Sequence, residues 1–160
     1  MNAASSAAAG PGRPASSDPP RSALERVLVG FDGSPASVRA TRFAISIGRP
    51  SGTRLWLVHA HERDSRLAEP LTEEEVSSPA RALARSMERL VREARAAGLD
   101  AEAMTREGPP FEVLLRVAQE VRADAIVVGT RGLGGASRVL LGSVSSHLTV
   151  GAPVPVTVVP

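Results

Sequence analysis

The chain has 160 residues, a formal net charge of +2 and 42% hydrophobic residues, which makes one domain large enough to bury a core. It contains no cysteine, which excludes a disulfide framework, a thiolate metal centre and a cysteine nucleophile. All 19 basic residues are arginine, so the lysine of a P-loop and Schiff-base chemistry are excluded too.

Aromatic residues make up only 2% of the chain, so the core must be built from Val, Leu, Ile and Ala. Acids and bases are interspersed and outline no nucleic-acid surface. No apolar run approaches the ~18 residues that span a bilayer. Residues 1–24 are rich in Ala, Ser, Pro and Gly, and such a stretch cannot offset its own ordering entropy. A disordered tail is expected there, ahead of a domain spanning 25–160. The alanines from Ala3 to Ala9 are broken by Ser5-Ser6, which is no secretory core, so the expected location is the cytoplasm, with no membrane contact.

Val27-Leu28-Val29-Gly30-Phe31 reads as a strand buried on both faces. Ser34 followed by Pro35 starts a helix, by hydroxyl cap and proline at the first helical position. Ala40, Phe43, Ala44 and Ile47 recur at helical spacing and are expected to face inward, with Gly48 ending the helix. Asp32 thus lies between a strand end and a helix start. It is either a turn former with Gly33 or an acceptor for a ligand hydroxyl or amine. Gly30, two residues earlier, would let a ligand approach.

Residues 53–61, TRLWLVHAH, form the next strand, with Trp56, Val58 and Ala60 on one face and Leu55, Leu57 and His59 on the other. His59 and His61 share a face in the manner of a metal pair, but no third ligand is evident and packing or solvent-facing roles are favoured. Residues 62–78 are polar and read as a mobile loop, with Glu73-Glu74-Glu75 as a solvated helix start. Pro79 opens a helix to about Ala97, with a stripe of Leu83, Met87, Leu90, Val91 and Ala94, closed by Gly98. Residues 100–107 form a polar edge strand, Gly108-Pro109-Pro110 turns the chain, and 111–121 is helical with Val113, Leu114, Val117 and Val121 inward.

Ala125-Ile126-Val127-Val128 is the last fully buried strand pattern, and it runs into Gly129, Gly132, Gly134 and Gly135. A second glycine–hydroxyl step follows at Gly142-Ser143, where a short helix is expected to start with Ser143 as its hydroxyl cap. A strand end, a glycine loop and a helix N-terminus together offer amide donors and partial positive charge to a phosphate. Residues 154–159 supply a final strand, and its prolines assign it to an edge. Strands and helices alternate throughout, which means a parallel sheet covered on both faces.

The spacing Gly129-x2-Gly132-x9-Gly142-Ser143 resembles the nucleotide-binding signature of the universal stress protein family, ATP-binding branch. The resemblance covers about residues 26–160. It implies a Rossmann-like, adenine nucleotide alpha-hydrolase-like α/β fold: five parallel strands in the order 3-2-1-4-5 with helices on both faces. It also implies ATP as ligand, with Mg²⁺, and Asp32 against the sugar or base. The backbone of Ala60 would meet the adenine edge. Gly129, Thr130, Arg131 and Gly132 would line the phosphates, with Gly142, Ser143 and Val144 opposite. Ser143 and Ser145 offer hydroxyls, and Arg131 is a better source of charge than Arg138. His147, one turn after Ser143, has a surface or packing role.

No catalytic constellation is evident, so binding is the stronger inference. Three functions compete: an ATP-dependent stress-response regulator with a protein partner of unknown identity, a slow ATPase or nucleotidyl transferase, and a nucleotide-independent interaction module. The resemblance also implies a homodimer joined through the C-terminal edge strand, where Pro155 could equally be a device that blocks edge pairing.

Overall fold

The computed structural model describes residues 24–50, 52–61, 78–130 and 141–160. The elements are β1 (Arg26–Gly30), α1 (Pro35–Ile47), β2 (Arg54–His61), α2 (Ser78–Ala96), β3 (Asp100–Glu107), α3 (Pro110–Glu120), β4 (Ala125–Gly129), α4 (Ser143–Gly151) and β5 (Val156–Val159). Residues 1–23 of the expected tail, residues 62–77 of the expected loop, and Arg131, Gly132, Gly134, Gly135 and Arg138 lie outside the described residues, whereas Leu24, expected in the tail, packs against the core and Ser78, expected in the loop, opens α2.

All strand pairings are parallel and the order is β3-β2-β1-β4-β5, as the family resemblance implied. Side-chain alternation divides the core between the two faces of the sheet. Val27, Val29, Leu55, Leu57 and Val127 point to the face covered by α1 and α2, where Ala40, Met87, Leu90 and Ala94 meet them. Leu28, Trp56, Val58, Ile126 and Val128 point to the other face, against Val113, Leu114 and Val117 of α3 and Leu148 of α4. The central strands are therefore apolar through their buried middles, at Val27–Val29, Leu55–Val58 and Ala125–Val128, whereas edge strand β3 has a single buried residue, Ala101.

Helix α1 corrects the expected inward stripe. Phe43 and Ile47 are exposed, at 38% and 36%, while Ala36, Ser37, Ala40, Thr41 and Ala44 are buried. The reason is distance. A Cβ placed on Gly129 would lie 2.8 Å from both the Cβ and the carbonyl carbon of Ala36 and 2.9 Å from the Ser37 nitrogen. A helix seated this closely on β4 accepts only small side chains underneath. The buried hydroxyls satisfy themselves locally, with Ser37 Oγ donating to the Ser34 carbonyl and Thr41 Oγ1 to that of Ser37.

Two helices end at the expected glycines, each for a different reason, and one strand start differs from expectation. Gly48 ends α1 in an extended conformation, φ −69°, so its lack of a side chain serves the contact with Leu99, whose Cδ2 lies 2.6 Å from an ideal Cβ there. Gly98, by contrast, ends the second helix at φ +85°, the left-handed stop that glycine favours. The last strand begins at Val156 rather than 154. Pro155 contributes only its carbonyl, to the Ile126 amide, at the strand start where a missing donor is tolerated. Among the described residues no helix is long and apolar enough to cross a membrane.

Candidate functional site

In a parallel sheet of this topology, ligands bind beyond the carboxyl ends of the strands where the order reverses, here between β1 and β4. Gly30 ends β1 and Gly129 ends β4, so both reach that rim. The α4 N-terminus is fastened there too. The Thr130 carbonyl accepts from the Gly142 amide at 2.6 Å and from the Ser145 hydroxyl at 3.2 Å. The two ends of the glycine segment therefore meet at one point, and Gly129, Thr130, Gly142, Ser143 and Val144 gather on one rim.

Gly142 is the N-cap of α4, in extended conformation, and among the described residues no side chain caps the helix. This corrects the expectation of Ser143 as hydroxyl cap: Ser143 is the first helical residue, with its side chain exposed. The first-turn amides have no intrahelical acceptor. With no cap from a side chain, they and the helix dipole present a surface suited to an anion. Ser145 is corrected as well. It is 2% exposed, and its hydroxyl reaches inward to the carbonyls of Gly142 and Thr130 rather than outward to an ion.

At the β1 end, Asp32 Oδ1 accepts from the Ser34 amide at 2.9 Å, which makes Asp32 a turn former. Gly33 follows at φ +84°, and Ser34 caps α1 by accepting from the Ser37 amide. Asp32 is half-buried at the rim. A ligand-accepting role shares the carboxyl group with this turn. Gly30 has a packing reason of its own, because a Cβ there would come within 2.9 Å of Leu114 Cδ1 and 3.0 Å of Val128 Cγ1.

Ala60 lies near the end of β2, beyond the last rung to β1. In a parallel strand a residue's N–H and C=O point to the same neighbour and alternate residues face opposite neighbours. The Phe31 amide donates to the Val58 carbonyl, and the Gly108 amide to that of His61. Val58 and Ala60 therefore turn their backbone groups toward β1, and His59 and His61 toward β3. The Ala60 donor and acceptor therefore face the β1 side of the strand, beyond the last paired residue, Gly30.

His59 and His61 lie side by side near the end of β2. Their rings run nearly parallel with centroids 6.4 Å apart, and His59 Nδ1 lies 2.9 Å from the Phe31 carbonyl oxygen. Among the described residues no group of three His, Cys, Asp or Glu side chains could hold a metal ion. His147 packs its ring against Phe111 of α3, centroids 5.6 Å apart. A groove of about 540 Å³ opens at the opposite rim, beside Arg26, Arg54 and Trp56. There Arg54 is engaged with Asp100, Glu102 and the Trp56 ring, away from the strand ends that carry the glycine segment.

Sequence reasoning missed three contacts: Gly129 on Ala36, the Thr130–Ser145 tie, and the His59 bond to Phe31. The first had a signal, since Ala36, Ala40 and Ala44 repeat every four residues opposite a strand-ending glycine. The other two depend on how α4 folds back onto the end of β4 and on the pairing of β1 with β2.

Comparison with known proteins matches residues 23–160 to the Universal stress protein family. A universal stress protein of Thermus aquaticus is 39% identical over 142 residues, covering 85% of this chain and 98% of the relative. A universal stress protein solved in complex with cAMP is 31% identical with a TM-score of 0.64, covering 86% and 98% of the two chains. That of Archaeoglobus fulgidus in complex with dAMP is 25% identical with a TM-score of 0.62 and the same coverage. The five-stranded parallel architecture, the gathered rim and these similarities agree, and the chain belongs to the universal stress protein family.

Proposed function

We propose that this protein binds an adenine nucleotide, ATP with Mg²⁺, at the rim between β1 and β4, and that occupancy regulates its interactions in a cytoplasmic stress response. The observation carrying this reading is the uncapped α4 N-terminus tied to Thr130 at the end of β4. It supplies amides and a dipole to a phosphate chain without any lysine. Ala60 adds a donor and an acceptor side by side, matching the acceptor N1 and donor N6 of an adenine edge. Asp32, between Ala60 and α4 in the order of the rim, suits the sugar. Gly129, Thr130, Gly132, Gly142, Ser143 and Val144 would contact phosphate, and Arg131 would supply charge.

The relatives that carry cAMP and dAMP support an adenine ligand. Mg²⁺ fits as an ion held by phosphate oxygens and water, since the described residues hold no carboxylate cluster for it. It would neutralise phosphate charge. We assign no catalytic residue; a slow ATPase or nucleotidyl transferase is the alternative for the same rim. Edge strand β5, with four half-buried residues VTVV, suits a homodimer joined along that edge.

The test is mass spectrometry of nucleotide retained through purification, for the wild type and for Gly132→Glu. The wild type is expected to carry adenine nucleotide, and the folded variant to emerge empty because a carboxylate repels phosphate. Nucleotide retained equally by both would place the ligand elsewhere. A single-turnover assay with labelled ATP and Mg²⁺ separates binder from enzyme, a background rate eliminating the enzyme.

A further inference from the structure

The β1–β2 ladder stops one rung short of where its geometry would take it. The Phe31 amide donates to the Val58 carbonyl at 2.8 Å. The next rung of a parallel ladder would run from the Ala60 amide to the Phe31 carbonyl. Among the described residues that bond is absent, and His59 Nδ1 stands at the Phe31 carbonyl instead, at 2.9 Å. A carbonyl oxygen only accepts, so Nδ1 carries the proton. The Phe31 peptide is thus held at both its polar groups by consecutive residues of β2, and Asp32 is the next residue along. Phe31 itself is 3% exposed in the core under α2, so its carbonyl has little freedom to turn elsewhere.

From this substitution we infer that His59 is a positioning residue that sets base specificity. By occupying the Phe31 carbonyl it keeps the Ala60 amide available to a ligand and fixes the turn that carries Asp32. The inference rests on the adenine-nucleotide reading above. Its physical basis is a competition for one acceptor. With the imidazole removed, the Phe31 carbonyl would need a new donor, and the Ala60 amide is the one that the strand geometry aims at it. Closing that rung costs the ligand its donor. A hydrogen bond of this kind accounts for about tenfold in affinity. Adenine, whose N1 accepts, would lose more than hypoxanthine, whose N1 carries a hydrogen.

The test compares wild type, His59→Asn and His59→Leu as full chains. An asparagine amide nitrogen can take the place of Nδ1 and donate to Phe31, whereas leucine cannot. Calorimetric titration is expected to show ATP preferred over ITP by wild type and, within about threefold, by His59→Asn. His59→Leu should bind ATP about tenfold more weakly with a narrowed ATP/ITP ratio, while its melting temperature holds. In parallel, amide exchange by NMR should find the Ala60 proton unprotected in wild type without ligand and protected in His59→Leu.

A purely structural histidine would give the reverse pattern, a lowered melting temperature with an unchanged ATP/ITP ratio. A wild type that binds ATP as tightly as His59→Leu does overturns the inference and leaves the function standing. A wild type that binds no adenine nucleotide overturns the function. The Ala60 exchange readout then still decides whether His59 holds the rung open, and equal protection in both proteins would refute it.

Discussion

Gly129→Ala tests whether the first glycine of the signature serves the fold, the ligand or both. An ideal Cβ at 129 meets two atoms of Ala36 at 2.8 Å and the Ser37 nitrogen at 2.9 Å. Two of these three are backbone atoms of the first turn of α1, so no rotamer change relieves the clash and the helix itself must move. Overpacking of this kind costs about 1–3 kcal/mol, offset by about 0.4–1 kcal/mol from the reduced freedom of the unfolded chain. The net loss of about 1–2 kcal/mol would lower the melting temperature by about 2–8 °C in a domain of this size.

Two other glycines calibrate the result. At Gly30 the close atoms are the ends of Leu114 and Val128, which can rotate, so Gly30→Ala should cost less. At Gly52 the nearest atom is 3.7 Å away, ordinary contact, so Gly52→Ala should change stability by under about 0.5 kcal/mol. Urea denaturation of the three variants gives the order directly, with the midpoint shifting and the slope holding. A Gly129→Ala protein as stable as Gly52→Ala would show that α1 does not rest on β4 as described. Stability unchanged with nucleotide affinity lost would assign Gly129 to the ligand alone.

Other expectations follow from single contacts. Ser34→Ala removes the oxygen that accepts from the Ser37 amide and leaves that N–H, in a residue 3% exposed, without its cap; a loss of about 1 kcal/mol in urea denaturation is expected, and an unchanged midpoint would contradict it. The exposed Arg42–Glu93 ion pair joins α1 to α2, and the hydrogen bond from Arg42 holds the Glu93 carboxyl below its ordinary range. A depressed folded value means stability present above the unfolded value, about pH 4.3, and lost as the pH falls through the folded one. Wild type should therefore exceed Glu93→Gln slightly at pH 7, with the gap closing toward pH 3 and shrinking in high salt. A gap that widens in acid would reverse the sign.

Much of the fold was legible because its signals are local. Runs such as 27–29 and 125–128, apolar at consecutive positions, only suit strands buried on both faces, and the helical stripe of Met87, Leu90, Val91 and Ala94 is buried as its spacing predicts. Where reasoning from periodicity failed, the cause was the depth of packing. Phe43 and Ile47 fall on the helical repeat with Ala40 and Ala44, yet the narrow gap between α1 and β4 admits the alanines and turns the larger side chains to solvent. Apolar spacing says which face of a helix is greasy, but not how near the next layer stands.

The amino-acid sequence by itself determined the alternation of strands and helices, the glycine spacing and the lack of lysine, since each is read along the chain without reference to its folding. Only the tertiary structure decided that Thr130 receives Gly142 and Ser145, that Gly129 packs directly on α1, and that His59 takes the Phe31 carbonyl. Those contacts join residues 12 to 93 apart in the chain, made only when the sheet has brought β1 and β2 side by side, seated α1 on β4 and folded α4 back onto the end of β4. A hydrogen bond has one acceptor and a gap has one width, and neither is set until the sheet has assembled.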